Sequence, residues 1–212
     1  IQKPIARNYG WELLFHEIVK KEGLINLKII PINLYRNSKK LGLFVLEEGF
    51  SKELLERQGR KDGPIIGIEE TLNQVFPMVT YDFYSENKWI SNFPDIYVAW
   101  KENLELFKKS STHDQYKISN YFDIEQWAKF FAIADVLKGY HATVPKSVKL
   151  YYNPSTGLFE PIAFDAHIGS GYDKFILLDY YKNNNINCGY VCHDQEWLKV
   201  FFNKKNDKFI TL

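Results

Sequence analysis

The segment 123–165, DIEQWAKFFAIADVLKGYHATVPKSVKLYYNPSTGLFEPIAFD, reads as a helix, a loop and a hairpin in that order. Asp123 followed three residues later by Gln126 is a helix-start signal, because the first turn of a helix leaves backbone N–H groups that such side chains satisfy. Ile124, Trp127, Phe130, Phe131, Ala134 and Leu137 then recur at helical spacing over more than one face, which predicts a central helix closed near Gly139. The apolar runs 148–152 (VKLYY) and 158–164 (LFEPIAF) flank Asn153, Pro154, Ser155, Thr156 and Gly157, residue types that build tight turns, so an antiparallel hairpin is expected. Helices and hairpins in separate runs place the chain in the α+β class.

Outward from this segment the pattern is simpler. Residues 8–21 carry Trp11, Leu14, Phe15, Ile18 and Val19 on one helical stripe, with Gly23 placed to end it. Residues 25–35 and 41–47 read as two strands joined by the polar loop 36–40, and Pro31 marks the first as an edge or bulged strand. A short helix follows Ser51, buries Leu54 and Leu55 and ends at Gly59 before the basic loop 60–64. Residues 65–94 show no stable period and receive no regular structure. A helix is expected over 95–109 and another near 194–204, and no internal repeat is visible. The chain starts at Ile1 and enters a helix almost at once, which reads as a domain trimmed at its N-terminus.

Charge and composition exclude several functions. With 27 Lys+Arg against 26 Asp+Glu the net charge is +1, so no basic surface for nucleic acid or anionic membrane is expected. No run reaches the roughly 18 apolar residues of a membrane-spanning helix. The length suits one sizeable core, burying roughly 70% of the unfolded chain's surface. Aromatic residues make up 17% of the chain, which points to a bulky core, with the cluster from Tyr81 to Tyr97 left as a candidate stacking surface.

Chemistry concentrates at one place. An apolar strand that delivers Asp165 at its end, followed by Gly169 and Gly171, is a rigid mount for a metal ligand or catalytic acid. If the hairpin closes, His141 and Ser147 from the loop 139–147 approach Asp165, with Lys146 alongside, giving an imidazole, a hydroxyl, an ammonium and a carboxylate. Other motifs are weaker. Cys188, Cys192 and His193 form C-x3-C-H, which is neither a common zinc spacing nor a haem attachment. His141, Asp165 and His167 are a conceivable zinc set without a supporting motif, and Gly169–Ser170–Gly171 lacks the Lys of a P-loop.

The segment 32–57, INLYRNSKKLGLFVLEEGFSKELLER, and the segment 122–167, FDIEQWAKFFAIADVLKGYH…VKLYYNPSTGLFEPIAFDAH, resemble in order the two signature blocks of the CotH kinase family, the spore-coat-protein-H-like atypical kinases. The resemblance implies a two-lobed, protein-kinase-like fold across a single domain 1–212, with a smaller lobe over about 24–92 and a larger over about 93–212. It implies transfer of phosphate from ATP, with Mg²⁺, to Ser or Thr of a protein, and a partner that is such a substrate or a coat or surface protein. An extracellular or cell-envelope location is expected on the same ground alone. By position, the resemblance gives Asp165 the family's metal-binding carboxylate and Ser147 a second metal ligand, Glu48 a part in lobe-to-lobe ion pairing or in positioning metal and nucleotide, Lys52 the nucleotide and His141 the base.

Three positions depart from the family's pattern. Tyr140 or His141 stands where a catalytic Asp is usual, Lys146 and Ser147 stand where His-Asn is usual, and Gly67 stands where a phosphate-binding Lys or Arg is usual. Lys28, Lys52, Arg60 and Lys61 are the candidate replacements for that cation. A pseudokinase serving as a binding module is therefore the alternative to an active enzyme, because loss of groups that act as one catalytic unit costs orders of magnitude in rate.

Overall fold

The computed structural model of the chain describes residues 1–68, 81–111, 117–166 and 201–202. Its central element is the helix Ile124–Val136, started as the sequence predicts: Asp123 is extended and its carboxylate accepts the Gln126 N–H at 3.2 Å. That helix is the fifth α-helix. Before it come α1 (Trp11–Lys21), α2 (Lys52–Glu56), α3 (Glu86–Asn92) and α4 (Pro94–Ser111). The strands are β1 (Ile25–Asn26), β2 (Ile29–Arg36), β3 (Lys39–Glu47), β4 (Ile65–Ile68), β5 (Tyr81–Phe83), β6 (Lys149–Asn153) and β7 (Leu158–Ala163).

Five strands form one sheet in the order β1-β7-β6-β4-β5, antiparallel except where β1 runs parallel to β7, and β2 and β3 form a separate hairpin. Mixed helices and a mainly antiparallel sheet agree with the α+β class. The sheet draws strands from both sides of residue 92. The predicted hairpin is β6–β7, and its turn is built as the residues suggested: Asn153 Oδ1 accepts the Ser155 N–H at 2.9 Å, the Asn153 carbonyl accepts the Gly157 N–H at 2.8 Å, and Gly157 adopts φ +72°. α4 grips this turn through Asn103, whose amide donates to the Gly157 carbonyl at 2.7 Å. α5 grips the adjoining start of β7, with Trp127 Nε1 donating to the Phe159 carbonyl at 3.0 Å.

Side-chain alternation along β6 separates two cores. Leu150 and Tyr152 face a cluster with Phe15, Trp100, Phe122, Trp127, Phe130, Phe131 and Phe201. Tyr151 faces a second cluster with Ile25, Leu27, Leu54, Leu55, Ile65 and Ile162. Phe83 stacks on Trp100 at 4.7 Å and Trp89 lies 5.3 Å from Phe93, so these aromatics of the unplaced cluster pack on their neighbours in the fold.

Several expectations need correction. The first predicted strand is two elements: Ile25 and Asn26 pair with Ile162 and Ala163, and only from Ile29 does the chain join the hairpin. The hairpin loop is two residues, Asn37 and Ser38 with φ 48° and 64°, the left-handed conformation that a tight hairpin turn requires and that Asn accepts more readily than most residues. Pro31 sits opposite Val45, and the register shift falls later, between Leu34 and Tyr35; a two-stranded ribbon leaves one side of β2 open, which admits a proline. Residues 65–94, expected to be irregular, hold β4, β5 and α3. Strands of four and three residues are too short to show a period, and it is pairing that makes them strands. α1 begins at Trp11 rather than Asn8, since Asn8 and Tyr9 have φ 45° and 58° and cannot extend a helix. Past α5 the left-handed residue is Lys138, not Gly139; a Cβ on Gly139 would stand 3.3 Å from Ala166 Cβ and 3.5 Å from the Phe15 ring, so the glycine serves close packing.

Candidate active site

The end of β7 turns sharply. Asp165 has φ +57°, a conformation that Asp accepts more readily than most residues, and there both its carboxylate and its carbonyl meet the loop that leads out of α5. That loop is two 3₁₀ turns, Tyr140–Thr143 and Pro145–Ser147, pinned by Thr143 Oγ1 donating to the Tyr140 carbonyl at 2.8 Å and by the Ser147 N–H donating to the Val144 carbonyl at 2.9 Å.

The result is a triangle. His141 Nδ1 lies 3.0 Å from Asp165 Oδ2, Ser147 Oγ donates to the same Oδ2 at 3.1 Å, and Ser147 Oγ is 3.2 Å from His141 Nδ1. His141 Nδ1 is also 3.2 Å from the Asp165 carbonyl oxygen. Carboxylate and carbonyl oxygens only accept, so these neighbours assign the proton of a neutral imidazole to Nδ1 and the lone pair to Nε2. Ser147 is buried, whereas the side chains of His141 and Asp165 are 13% and 23% exposed, which keeps them accessible from solvent.

As an oxygen set, the corner offers one carboxylate and one hydroxyl. Among the described residues no three His, Cys, Asp or Glu side chains assemble into a metal cage. That donor set fits Mg²⁺ arriving with phosphates, since Mg²⁺ is usually held by one or two carboxylates with water and phosphate oxygens completing its shell. The structure thus brings together His141, Ser147 and Asp165.

Glu48 and Lys52 have their own ion-pair partners. Glu48 Oε2 receives Arg57 Nη2 at 2.6 Å and the Lys28 N–H at 2.8 Å, and Arg57 Nη2 also donates to the Asn26 carbonyl at 2.8 Å. This clamp joins the end of the β2–β3 hairpin to β1 and α2. Lys52 pairs with Glu56 at 3.0 Å one turn along α2; this exposed pair raises its pKa, through the hydrogen bond and the charge of Glu56. Of the other candidate cations, Arg60 is held by Glu160 at 3.1 Å and by the Gly23 carbonyl at 3.0 Å, while Lys28 and Lys61 are exposed.

One cation near the triangle was missed in the sequence. Lys149 on β6 is 6% exposed, its Nζ donates to the Lys146 carbonyl at 3.0 Å, and it stands 5.3 Å from the Phe164 ring centre. The available signal was a lysine inside the apolar run VKLYY. His167, Gly169, Ser170, Gly171, Cys188, Cys192 and His193, together with the final predicted helix except its residues 201–202, lie outside the described residues.

A family comparison decides what this corner belongs to: the model of the CotH kinase protein family matches residues 11–204. The chain belongs to the CotH kinase family. The match spans α1 through β7, so the triangle and the Glu48 clamp are both parts of the CotH domain. No match was found among curated proteins. No helix among the described residues is long and apolar enough to cross a membrane.

Proposed function

We propose that this CotH-family chain is an ATP- and Mg²⁺-dependent phosphotransferase acting on Ser or Thr of a protein, on a kinase-like two-lobed fold. The observation that carries the reading is the triangle: a family member draws three groups together from positions up to 24 residues apart, in a set suited to phosphate chemistry. When bound, Mg²⁺ supplies neutralisation of the phosphate charge that develops during transfer. Asp165 and Ser147 would hold it through carboxylate and hydroxyl oxygens. His141, oriented through Nδ1 by Asp165, presents Nε2 as the base. The substrate hydroxyl oxygen forms the new bond to the γ-phosphorus, the bond from that phosphorus to the bridging oxygen breaks with its electron pair leaving on ADP, and the hydroxyl proton goes to Nε2.

A second reading has its own observation. The position of the family's catalytic Asp holds Tyr140 or His141, and an imidazole does not reproduce a permanent negative charge, which favours a pseudokinase that binds nucleotide or a coat or surface protein without turnover. Titration calorimetry with Mg·ATP, together with transfer of labelled phosphate to a protein substrate, separates the two. Binding with turnover supports the enzyme, binding alone supports the pseudokinase, and neither leaves a purely structural module.

A further inference from the structure

Position 67 lacks the cation that the family's pattern leads one to expect, and the fold shows what fills its place. Gly67 on β4 stands directly opposite Lys149 on β6. A Cβ built on Gly67 would lie 3.1 Å from Lys149 Nζ, 3.3 Å from its Cδ and 3.4 Å from its Cε. The lysine stem therefore runs through the volume that a side chain at position 67 would enter, and the glycine leaves room for it. The ammonium ends near the triangle by two routes. Its carbonyl partner, Lys146, immediately precedes Ser147, and the ring beneath it, Phe164, immediately precedes Asp165. It also lies on the sheet face that carries Tyr151, the face packed against α2 and the base of the β2–β3 hairpin. Lys149 is 6% exposed, and lysine is a residue type seldom buried to this degree.

We propose that Lys149 supplies, from the neighbouring strand, the phosphate-contacting cation that position 67 does not, and that it donates to the oxygens of the nucleotide's polyphosphate. The inference rests on the nucleotide-dependent reading above and adds to it the residue that recognises the phosphates. Gly67 is then a specificity feature of the same site, since any larger side chain there would displace the ammonium.

The test is calorimetric titration of the whole chain with Mg·ATP, Mg·ADP and AMP. Lys149→Met keeps the stem and removes the charge; it is expected to weaken Mg·ATP and Mg·ADP about 10- to 100-fold, the range for losing a hydrogen bond to a charged group, and AMP much less. Moving the charge with the pair Gly67→Lys and Lys149→Gly is expected to recover most of the loss. Equal Mg·ATP affinity of wild type and Lys149→Met overturns the role of Lys149 and leaves the nucleotide reading standing. No binding of Mg·ATP by the wild type overturns both. An acyl phosphate of ATP, whose acyl group passes to an amine beside the phosphates with ATP leaving, tests the unmutated chain independently of how the variants fold. Acylation of Lys149 suppressed by excess ATP is the expected result, and acylation confined to other lysines overturns the proposal.

Discussion

Glu48 and Asp165 are both carboxylates carried just past the end of an apolar strand, β3 in one case and β7 in the other, yet the fold surrounds them differently. Glu48 meets a guanidinium at 2.6 Å and a backbone N–H at 2.8 Å, so its charge is matched by a fixed cation and its oxygens are engaged in holding the hairpin to β1 and α2. Asp165 meets a hydroxyl and an imidazole, groups that orient a carboxylate without cancelling its charge when the imidazole is neutral. A strand-end carboxylate is therefore not by itself a site. Their contacts differ in kind: Glu48 faces a permanent cation, Asp165 groups able to exchange a proton or share a metal.

The largest expected effect lies on the Asp165 side. Asp165→Asn keeps a residue type that tolerates φ +57° and removes the charge, and phosphate transfer is expected to fall about 10³-fold or more with little change in thermal midpoint. A variant that still turns over at the wild-type rate would break the comparison. On the other side, Glu48→Gln leaves Arg57 facing a neutral amide and is expected to cost about 1–3 kcal/mol of stability, read by chemical denaturation, while Mg·ATP affinity stays constant. A fall in affinity without a fall in stability would give Glu48 a role in the proposed nucleotide binding.

A smaller effect tests the frame between the two regions. Tyr151 is buried and donates to the Lys61 carbonyl at 2.7 Å, and burial, helped by the charge of Glu160, raises its pKa. The unfolded chain ionises this phenol near ~10, so its contribution is fully present below that pH and is lost as pH rises from there through the higher folded value. Stability measured in urea is expected to decline above about pH 10. Tyr151→Phe is expected to flatten that decline and to cost about 1 kcal/mol at neutral pH for the lost hydrogen bond. The smallest effect is at Lys52: substitution by Ala removes an exposed pair with Glu56 and is expected to change neither the thermal midpoint nor Mg·ATP affinity measurably. A clear loss of affinity would place Lys52 beside the phosphates.

Local chemistry made much of this legible in advance. The Asp123 cap, the buried face of α5 and the Asn153–Gly157 turn follow from hydrogen bonds and periodicities confined to a few neighbouring residues, and they suffice to bring Asp165 back toward His141 and Ser147. The family blocks were readable for the same reason, since each is a short contiguous pattern. β4, β5 and α3 were not, because segments this short become ordered through partners distant in the chain. Nor were the partners of Glu48, or the placing of Lys149 across from Gly67.

By itself the sequence determined the helix, the hairpin, the family and the three residue types that meet at the corner. Only the tertiary structure decided which carboxylate is clamped by a guanidinium and which lies beside an imidazole and a hydroxyl, and which lysine fills the volume at a glycine. The physical reason is range: caps, turns and periodicity act within about one turn or a few residues of the chain, whereas ion pairing and strand register are set by side chains brought together from far apart, as Gly67 and Lys149 are.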